Sequence, residues 1–404
     1  MDVKGTSLYI HIPFCLSKCA YCDFFSRADK SSASLPVPQS YVDALCKEIA
    51  FRLSQNQIDC INTLYVGGGT PSLLSPGQFT QLFTAIREKA LLASDAEMTV
   101  EVNPDDVSSG LLKLLADSGV NRLSCGIQSM NEAALKKACR RADVAANRKA
   151  LSLLATQWKG QLSLDLISGL PEDDEQSLLN SLKEVCEVNP SHISLYSLTI
   201  EGNTPFGKQL EAGSLDYDFD KADALWISGR DFLEEQGYEW YEVSNFCRPE
   251  KACRHNLCYW SHGDYIGAGS GATGTLYKKD GAGFRWTNST IIEEYIDFWL
   301  KQEGQCEGQD LGQLPQITED IELSTSEFEF FMMGLRKLRG ILDSDFEKSF
   351  ERPLPESFVQ TFNRYEKKGL CVRSCGSGAE SAGTYYAMSR EGMLFLNRFL
   401  EDLC

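Results

Sequence analysis

Residues 11–22 read His11-Ile12-Pro13-Phe14-Cys15-Leu16-Ser17-Lys18-Cys19-Ala20-Tyr21-Cys22 and directly follow a short apolar strand pattern at residues 8–10. The three cysteines lie on a predicted loop, whose backbone can wrap three thiolates around one metal centre. Thiolates favour zinc or an iron–sulfur cluster. Structural zinc usually has four ligands, and no obvious fourth lies close by. A [4Fe–4S] cluster on Cys15, Cys19 and Cys22 would leave one iron free to bind a small molecule.

Length, charge and cysteine content narrow the class of protein. The chain has 404 residues, 43% of them hydrophobic, which is enough for one large and one smaller globular domain. A formal charge of −18 argues against general binding to nucleic acid, whose phosphates need Lys and Arg. Without a long apolar run, we expect membrane association to be peripheral at most. Fifteen cysteines without a signal or transit segment indicate the reducing cytoplasm.

Strand and helix patterns alternate through the first half of the chain, which is typical of a parallel α/β sheet. Six strands are predicted, at residues 7–12, 63–66, 98–102, 122–127, 162–167 and 192–198. Their regular spacing predicts a partial (β/α)6 TIM-like barrel. Polar and Gly-rich residues fall near the C-terminal ends of these strands, where such barrels build their sites.

The chain divides into three predicted parts. Residues 1–245 form the partial barrel, residues 246–290 a linker region, and residues 291–404 a smaller helical domain. Two short strands, near residues 370–373 and 385–388, give this last domain a winged-helix-like pattern. Because the domain has few basic residues, we expect it to cover the barrel mouth rather than to bind DNA.

The cysteine loop resembles that of the radical S-adenosylmethionine (SAM) superfamily, whose CxxxCxxC motif matches Cys15, Cys19 and Cys22. In that superfamily a glycine turn similar to Gly67-Gly68-Gly69-Thr70-Pro71 binds the methionine amino group of SAM. The resemblance implies a radical SAM fold, a [4Fe–4S] cluster, and SAM on its open iron. Taken alone, the turn would indicate only a tight connection in which glycine allows close backbone approach.

Polar side chains near the strand ends suit a SAM pocket. Arg140 offers a planar donor to the methionine carboxylate, Glu101 an acceptor for the ammonium, and Gln128 and Asp165 groups for the ribose hydroxyls. Taken singly, each could be a satisfied polar group at a barrel rim. By position in the motifs, the resemblance implies SAM contacts at Tyr9, Gly68, Gly69, Thr70, Glu101, Gln128, Arg140 and Asp165.

Longer motifs at residues 101–104, 126–129 and 165–171 resemble the coproporphyrinogen III oxidase-like branch of the superfamily. Oxidases of that branch carry a fourth cysteine two positions after the third, where this chain has Phe24, and a longer N-terminal extension. The segment His255-Asn256-Leu257-Cys258-Tyr259-Trp260 is similar to the HNxxYW motif of HemW-type heme chaperones. The resemblance therefore favours a chaperone that binds heme and delivers it to heme-accepting target proteins. A histidine usual in the family is replaced by Ala142.

Alternatives remain open at this point. One is an oxygen-independent coproporphyrinogen III oxidase, in which an electron donor drives SAM cleavage and the resulting radical abstracts hydrogen from a propionate. A radical SAM methyltransferase is another, and the residues do not decide whether the chain is an enzyme. His255 is the candidate heme contact, since imidazole is a common axial ligand and aromatic rings can pack against a porphyrin. Its alternative is a buried structural corner, and Cys253 and Cys258 beside it match no metal-site spacing.

Overall fold

A twelve-stranded sheet runs through the molecule, in a computed structural model that describes residues 5–28, 36–301, 314–376 and 382–403. Up to residue 197 the elements are β1 (Gly5–Ile12), β2 (Phe14–Cys15), β3 (Arg27–Ala28), α1 (Gln39–Gln55), β4 (Cys60–Gly68), α2 (Pro76–Arg87), β5 (Leu91–Val102), α3 (Ser109–Asp117), β6 (Arg122–Gln128), α4 (Glu132–Lys137), α5 (Val144–Gln157), β7 (Gln161–Ser168), α6 (Glu175–Cys186) and β8 (His192–Ser197).

After residue 197 helices and strands no longer alternate regularly. They are α7 (Pro205–Glu211), α8 (Phe219–Glu235), β9 (Glu239–Glu242), β10 (Asn245–Cys247), α9 (Arg254–Trp260), β11 (Tyr265–Ala268), β12 (Thr273–Tyr277), β13 (Gly283–Asn288), α10 (Ile292–Lys301), β14 (Gln316–Ile321), α11 (Leu323–Gly334), β15 (Ile341–Leu342), α12 (Asp343–Phe350), α13 (Glu356–Glu366), β16 (Cys371–Gly376), β17 (Gly383–Met388) and α14 (Leu396–Glu401). Three 3-10 turns lie at Pro71–Leu73, Pro104–Asp106 and Gly392–Phe395.

The sheet contains six consecutive parallel strands, β1, β4, β5, β6, β7 and β8, which correspond to the six predicted strands. The prediction of a parallel α/β sheet is therefore confirmed. In the described residues the strand order runs from β14 to β9 and is open at both ends. The flanks are mostly antiparallel, with β10 and β9 beyond β8 and β12 to β14 beyond β11.

Residues 246–290, expected to form a linker region, supply three strands of this sheet. Strand β11 pairs in parallel with β1, and β12 and β13 follow it as an antiparallel extension. The division of the chain into domains stays a prediction.

Alternating side chains give the six parallel strands two different faces, because successive residues of a strand point to opposite sides. One face is apolar and buried, as Leu64, Val100 and Leu164 show. Helices α1 to α6 connect consecutive parallel strands. The other face is rich in polar side chains. Glu101 and Asp165 lie on it near the C-terminal ends of their strands, with Glu101 level with Ser163 and Asp165 two residues further along.

The C-terminal region is helical, as predicted, and contains a small sheet in the order β15-β17-β16. Its core is aromatic, with Phe331 stacked on Phe358 at 4.3 Å between ring centroids. Two backbone hydrogen bonds join this region to β9 and the residue after it, from Leu338 N–H to Tyr241 O and from Val243 N–H to Arg336 O. Among the described residues, no helix is both long and apolar enough to cross a membrane.

Candidate functional site

A cavity of about 540 Å³ opens at the C-terminal ends of the parallel strands. Its volume lies within the range of roughly 300–1,000 Å³ that is usual for small-molecule sites. The lining includes the following predicted site residues: Cys15, Cys19, Cys22, Gly68, Gly69, Thr70, Glu101, Gln128, Arg140 and Asp165. Tyr9 and His255 lie outside it. The lining residues fall between positions 15 and 201, so the described C-terminal region does not contribute to the cavity wall.

Backbone hydrogen bonds hold the cysteine loop at its ends and in its middle. Strands β2 and β3 pair in parallel and bring the two ends together, with Arg27 N–H donating to Pro13 O at 2.8 Å. In the middle, Ala20 N–H donates to Ala138 O, and Ala20 O accepts from Phe206 N–H, both at 2.9 Å. The three cysteines are thereby carried on one wall of the cavity.

The thiols influence one another electrostatically. Burial raises the pKa of the Cys22 thiol, and the neighbouring Cys19 and Cys15 raise it further. A positively charged centre between the three would relieve this repulsion and favour the thiolates. Thr70 Oγ1 donates to Cys15 Sγ at 3.5 Å, and Arg140 Nη1 to Cys19 Sγ at 3.4 Å, which further favours negative sulfur.

The donor set fits an iron–sulfur cluster. In the described part of the chain, no three His, Cys, Asp or Glu side chains converge as ligands of a single metal ion. The thiolates of a [4Fe–4S] cubane bind different iron atoms, so they do not need to meet at one point. Cys15, Cys19 and Cys22 on one cavity wall are compatible with that arrangement.

The glycine turn after β4 brings backbone close to the cysteine loop. A Cβ atom at Gly69 would lie 2.7 Å from Phe14 O and 3.0 Å from Cys15 Sγ. Gly68 has a φ of +115°, a conformation that L side chains rarely adopt, and a Cβ there would lie 2.8 Å from the His11 ring. These contacts show why residues 68 and 69 are glycines.

Glu101 is a partly buried carboxylate with two hydrogen-bond donors. Tyr65 Oη donates to its Oε1 at 2.8 Å, and Gly68 N–H donates to its Oε2 at 3.1 Å. Burial raises the pKa of Glu101 to about 7, and the nearby Asp165 carboxylate adds to this rise. A ligand cation, such as an ammonium, would stabilise the charged form of Glu101.

Arg140 follows helix α4 and contacts three groups of the cavity wall. Its Nη2 donates to Gly126 O at 2.7 Å and to Asn103 Oδ1 at 2.9 Å, and its Nη1 donates to Cys19 Sγ. The buried Nε has no hydrogen-bond partner. Because a buried donor without a partner is costly, this side chain is suited to an anionic ligand such as a carboxylate.

Asp165 is surrounded by hydroxyl groups. Ser124 donates to Oδ2 at 2.8 Å, while Ser194 and Ser163 donate to Oδ1 at 2.8 and 3.0 Å. Burial raises the pKa of Asp165, and these three hydrogen bonds oppose the rise. Gln128, two residues after Gly126 on β6, has a φ of +68° at a bulge in the pairing of β6 with β7.

Tyr9 and His255 lie behind the cavity rather than in its wall. Tyr9 Oη and His11 Nδ1 are 2.9 Å apart in a hydrogen bond. His255, in the first turn of α9, is 1% exposed, and its two ring nitrogens bond to Thr63 Oγ1 and Tyr259 Oη, each at 2.7 Å. Burial lowers its pKa to about 3. This position does not support a heme contact at His255, which stays a prediction.

The sequence analysis did not identify the hydrogen-bond partners of the cavity-lining side chains. They are the three serines on Asp165, Tyr65 on Glu101 and Asn103 on Arg140. Residues two apart on a strand point to the same face of the sheet, so the spacing of Ser163 and Asp165 could have indicated that their side chains lie together. Ser124 and Ser194 lie on the adjacent strands.

Comparisons with known proteins agree with this geometry. The model of the radical SAM superfamily matches residues 9–185, and that of the HemN C-terminal domain matches residues 327–377. The solved structure of coproporphyrinogen III oxidase (HemN) from Escherichia coli matches with a TM-score of 0.78 over 99% of this chain and 90% of its own. At 21% identity, this match shows the fold alone.

Curated relatives match nearly the whole chain. The protein named Heme chaperone HemW from Escherichia coli (strain K12) is 34% identical over 98% of this chain and 97% of its own length. The protein of that name from Lactococcus lactis is 34% identical over 89% and 90%. Radical S-adenosyl methionine domain-containing protein 1, mitochondrial, from Danio rerio is 34% identical over 90% and 80%. The chain therefore belongs to the radical SAM superfamily and, within it, to the family of the HemW proteins.

Proposed function

We propose that this protein is a heme chaperone that holds a [4Fe–4S] cluster through Cys15, Cys19 and Cys22 and SAM in the cavity beside them. The observation that carries the proposal is that the three thiols, the Arg140 guanidinium and the Glu101 carboxylate line the same cavity. A cluster with SAM on its open iron supplies the capacity for one-electron chemistry.

The chain's own residues would hold SAM by its charged groups. Arg140 has five N–H donors, of which Nη2 directs two and Nη1 one to protein groups, so Nη1 keeps one donor for the methionine carboxylate. Glu101 would accept from the ammonium and ionise as it does so. Gly68 and Gly69 have no side chains, so the backbone of the turn that ends at Thr70 can approach the methionine end of SAM closely.

Two observations support the heme part of the proposal: the family of the chain and the exposed aromatic side chains in the cavity lining. Relatives of this family bear the name Heme chaperone. At the mouth, Phe24 is 71% exposed and Tyr196 43% exposed. Exposed aromatic rings can pack against a porphyrin face. We propose that heme bound in this way is passed to heme-accepting target proteins.

The test begins with anaerobic reconstitution of the protein. We expect iron and acid-labile sulfide to be incorporated in the wild type and in Cys375→Ser, and to be lost in Cys19→Ser. Cys375 is the matched control because it is exposed on β16, away from the cavity. Iron retention in Cys19→Ser equal to that of the wild type would contradict the cluster assignment.

Heme titration and a turnover assay then separate the chaperone from the oxidase. We expect stable heme uptake by the reconstituted protein, and transfer of that heme to an apo-hemoprotein. With coproporphyrinogen III, SAM and an electron donor, we expect no protoporphyrinogen IX. Its formation at catalytic rates would assign the chain to the oxidase function and overturn the chaperone proposal.

A further inference from the structure

A chain of hydrogen bonds runs from the cavity wall into the interior, behind Asp165. Ser163 Oγ donates to Asp165 Oδ1 at 3.0 Å, and Ser163 Oγ lies 2.8 Å from His192 Nδ1. His192 Nε2 lies 2.8 Å from Tyr241 Oη, which accepts from Cys253 N–H at 3.2 Å. Three strands, β7, β8 and β9, thus contribute side chains to one continuous network.

With Asp165 ionised, the direction of each hydrogen bond in this network follows from the chemistry of its donors and acceptors. Ser163 has one hydroxyl proton, and it goes to Asp165, because a carboxylate only accepts. His192 Nδ1 must therefore donate to Ser163. Burial lowers the pKa of His192 well below its ordinary value, and the positive charge of Arg122 adds to this, so the imidazole is neutral. Its Nε2 is then an acceptor, and Tyr241 Oη donates to it.

The network leaves Asp165 with one free hydrogen-bond acceptor site. An ionised carboxylate has about four acceptor sites. Ser124, Ser163 and Ser194 occupy three of them. Asp165 lines the cavity, so the remaining site is available to one hydroxyl group of a bound molecule.

We propose that His192 is a positioning residue for ribose recognition: it directs the Ser163 proton onto Asp165 Oδ1, so that Ser163 and Ser194 together fix the carboxylate with Oδ2 oriented to accept one ribose hydroxyl of SAM. The proposal rests on SAM binding in the proposed function. Without the imidazole, the Ser163 hydroxyl is free to turn away from Asp165. Since His192 is 1% exposed and Ser163 fully buried, no water from bulk solvent replaces the lost donor readily.

The experiment measures discrimination between SAM and its 2′-deoxy and 3′-deoxy analogues by anaerobic equilibrium dialysis. We expect the wild type to prefer SAM over at least one analogue by about tenfold or more, as a hydrogen bond to a charged group implies. In His192→Leu this preference should fall to near unity. His192→Asn, whose amide nitrogen reaches the position of Nδ1, should restore it.

The controls separate this role from a purely structural one. Ile193→Val on the same strand alters the opposite, apolar face, and we expect its preference to equal that of the wild type. If His192→Leu does not fold, Tyr241→Phe carries the test, because it frees the imidazole to change tautomer and should also reduce the preference. An unchanged preference in the folded variant would overturn the proposal. If the wild type binds no SAM, the proposed function fails, and the role of His192 with it.

Discussion

Glu101 lines the cavity, partly withdrawn from solvent, and accepts hydrogen bonds that favour its charged form. Its pKa of about 7 lies above the ordinary value of 4.5. Between these two values the folded, ligand-free protein binds more protons than the unfolded chain, so stability falls as pH rises through this window. A bound cation would lower the pKa of Glu101 again, which links ligand binding to proton release.

We therefore predict that SAM affinity rises between about pH 6 and about pH 7.5, as Glu101 loses its proton. Glu101→Gln should bind SAM more weakly and with little dependence on pH, because an amide cannot become an anion. Isothermal titration at several pH values measures both effects. An equal pH dependence in Glu101→Gln and the wild type would show that another group is responsible.

The glycine turn makes a second residue-level prediction. Gly69→Ala should lower the iron content of reconstituted protein severalfold, because the new Cβ would meet Phe14 backbone and Cys15 Sγ. Gly77→Ala in α2 is the matched control, since a Cβ there meets nothing within 4 Å. Iron and sulfide analysis of both variants provides the measurement. Equal iron content in the two would mean that the turn and the loop can separate without loss of the cluster.

At the scale of elements, helix α9 depends on two buried polar side chains. Glu97 accepts hydrogen bonds from the backbone N–H groups of Arg254 and His255 at the helix N-terminus. His255 in turn connects Thr63 on β4 to Tyr259 on the same helix. The HNxxYW segment is thus tied into the sheet by interactions that need no ligand.

We predict that His255→Ala destabilises the protein by about 1–3 kcal/mol, the cost of leaving its buried partners unsatisfied. Denaturant unfolding of the ligand-free protein measures this change. Asn256→Ala, at the next position of the same helix and only half-buried, should have a smaller effect. If His255→Ala instead retains full stability and loses only heme uptake, the residue is a ligand and not a structural group.

The parallel strands could be predicted because each repeats a buried apolar pattern between helices. The added strands could not, since β11 has four residues and finds β1 from a position more than 250 residues later. Gly267 lies in the segment that was predicted to be a linker region. A Cβ there would lie 2.0 Å from Thr273 O, so the glycine serves close packing of strands rather than a flexible turn.

At the scale of the whole molecule, the contact between the sheet and the C-terminal region contains a buried ionisable group, Glu242, and a partly buried one, Lys337. Burial raises the pKa of Glu242 to about 7 and lowers that of Lys337 to about 8. Glu242 lowers stability as pH rises from 4.5 to 7, and Lys337 restores stability as pH rises from 8 to 10.5. The combined contribution of Glu242 and Lys337 to the free energy of unfolding is therefore lowest between about pH 7 and pH 8.

We predict that Glu242→Gln raises the melting temperature at about pH 7.5 and changes it little at about pH 5, where Glu242 is protonated in the folded state. Glu239→Gln is the control, because it removes the same charge from an exposed position on the same strand. Differential scanning calorimetry at both pH values gives the comparison. An equal shift at the two pH values would exclude ionisation of Glu242 as the cause.

The sequence motifs predicted the residues that line the cavity better than the side chains that support them. Cysteines, glycines and Arg140 stand in recognisable order, and the structure brings them to one cavity. Their supports come from different strands, as Ser124 and Ser194 do around Asp165. Such neighbours are separated in sequence by whole helices, so only the register of the sheet shows that they meet.

The cysteine loop is fastened by backbone hydrogen bonds of β2, β3 and Ala20, and none of these bonds involves a cysteine side chain. A loop that is held by its backbone does not depend on its thiolates for its fold, so its cluster can be replaced. After oxygen has destroyed the inorganic core, we expect the same polypeptide to accept a replacement from an assembly factor, with no refolding and no new synthesis. Oxidative damage to this protein would then be a matter of repair rather than turnover.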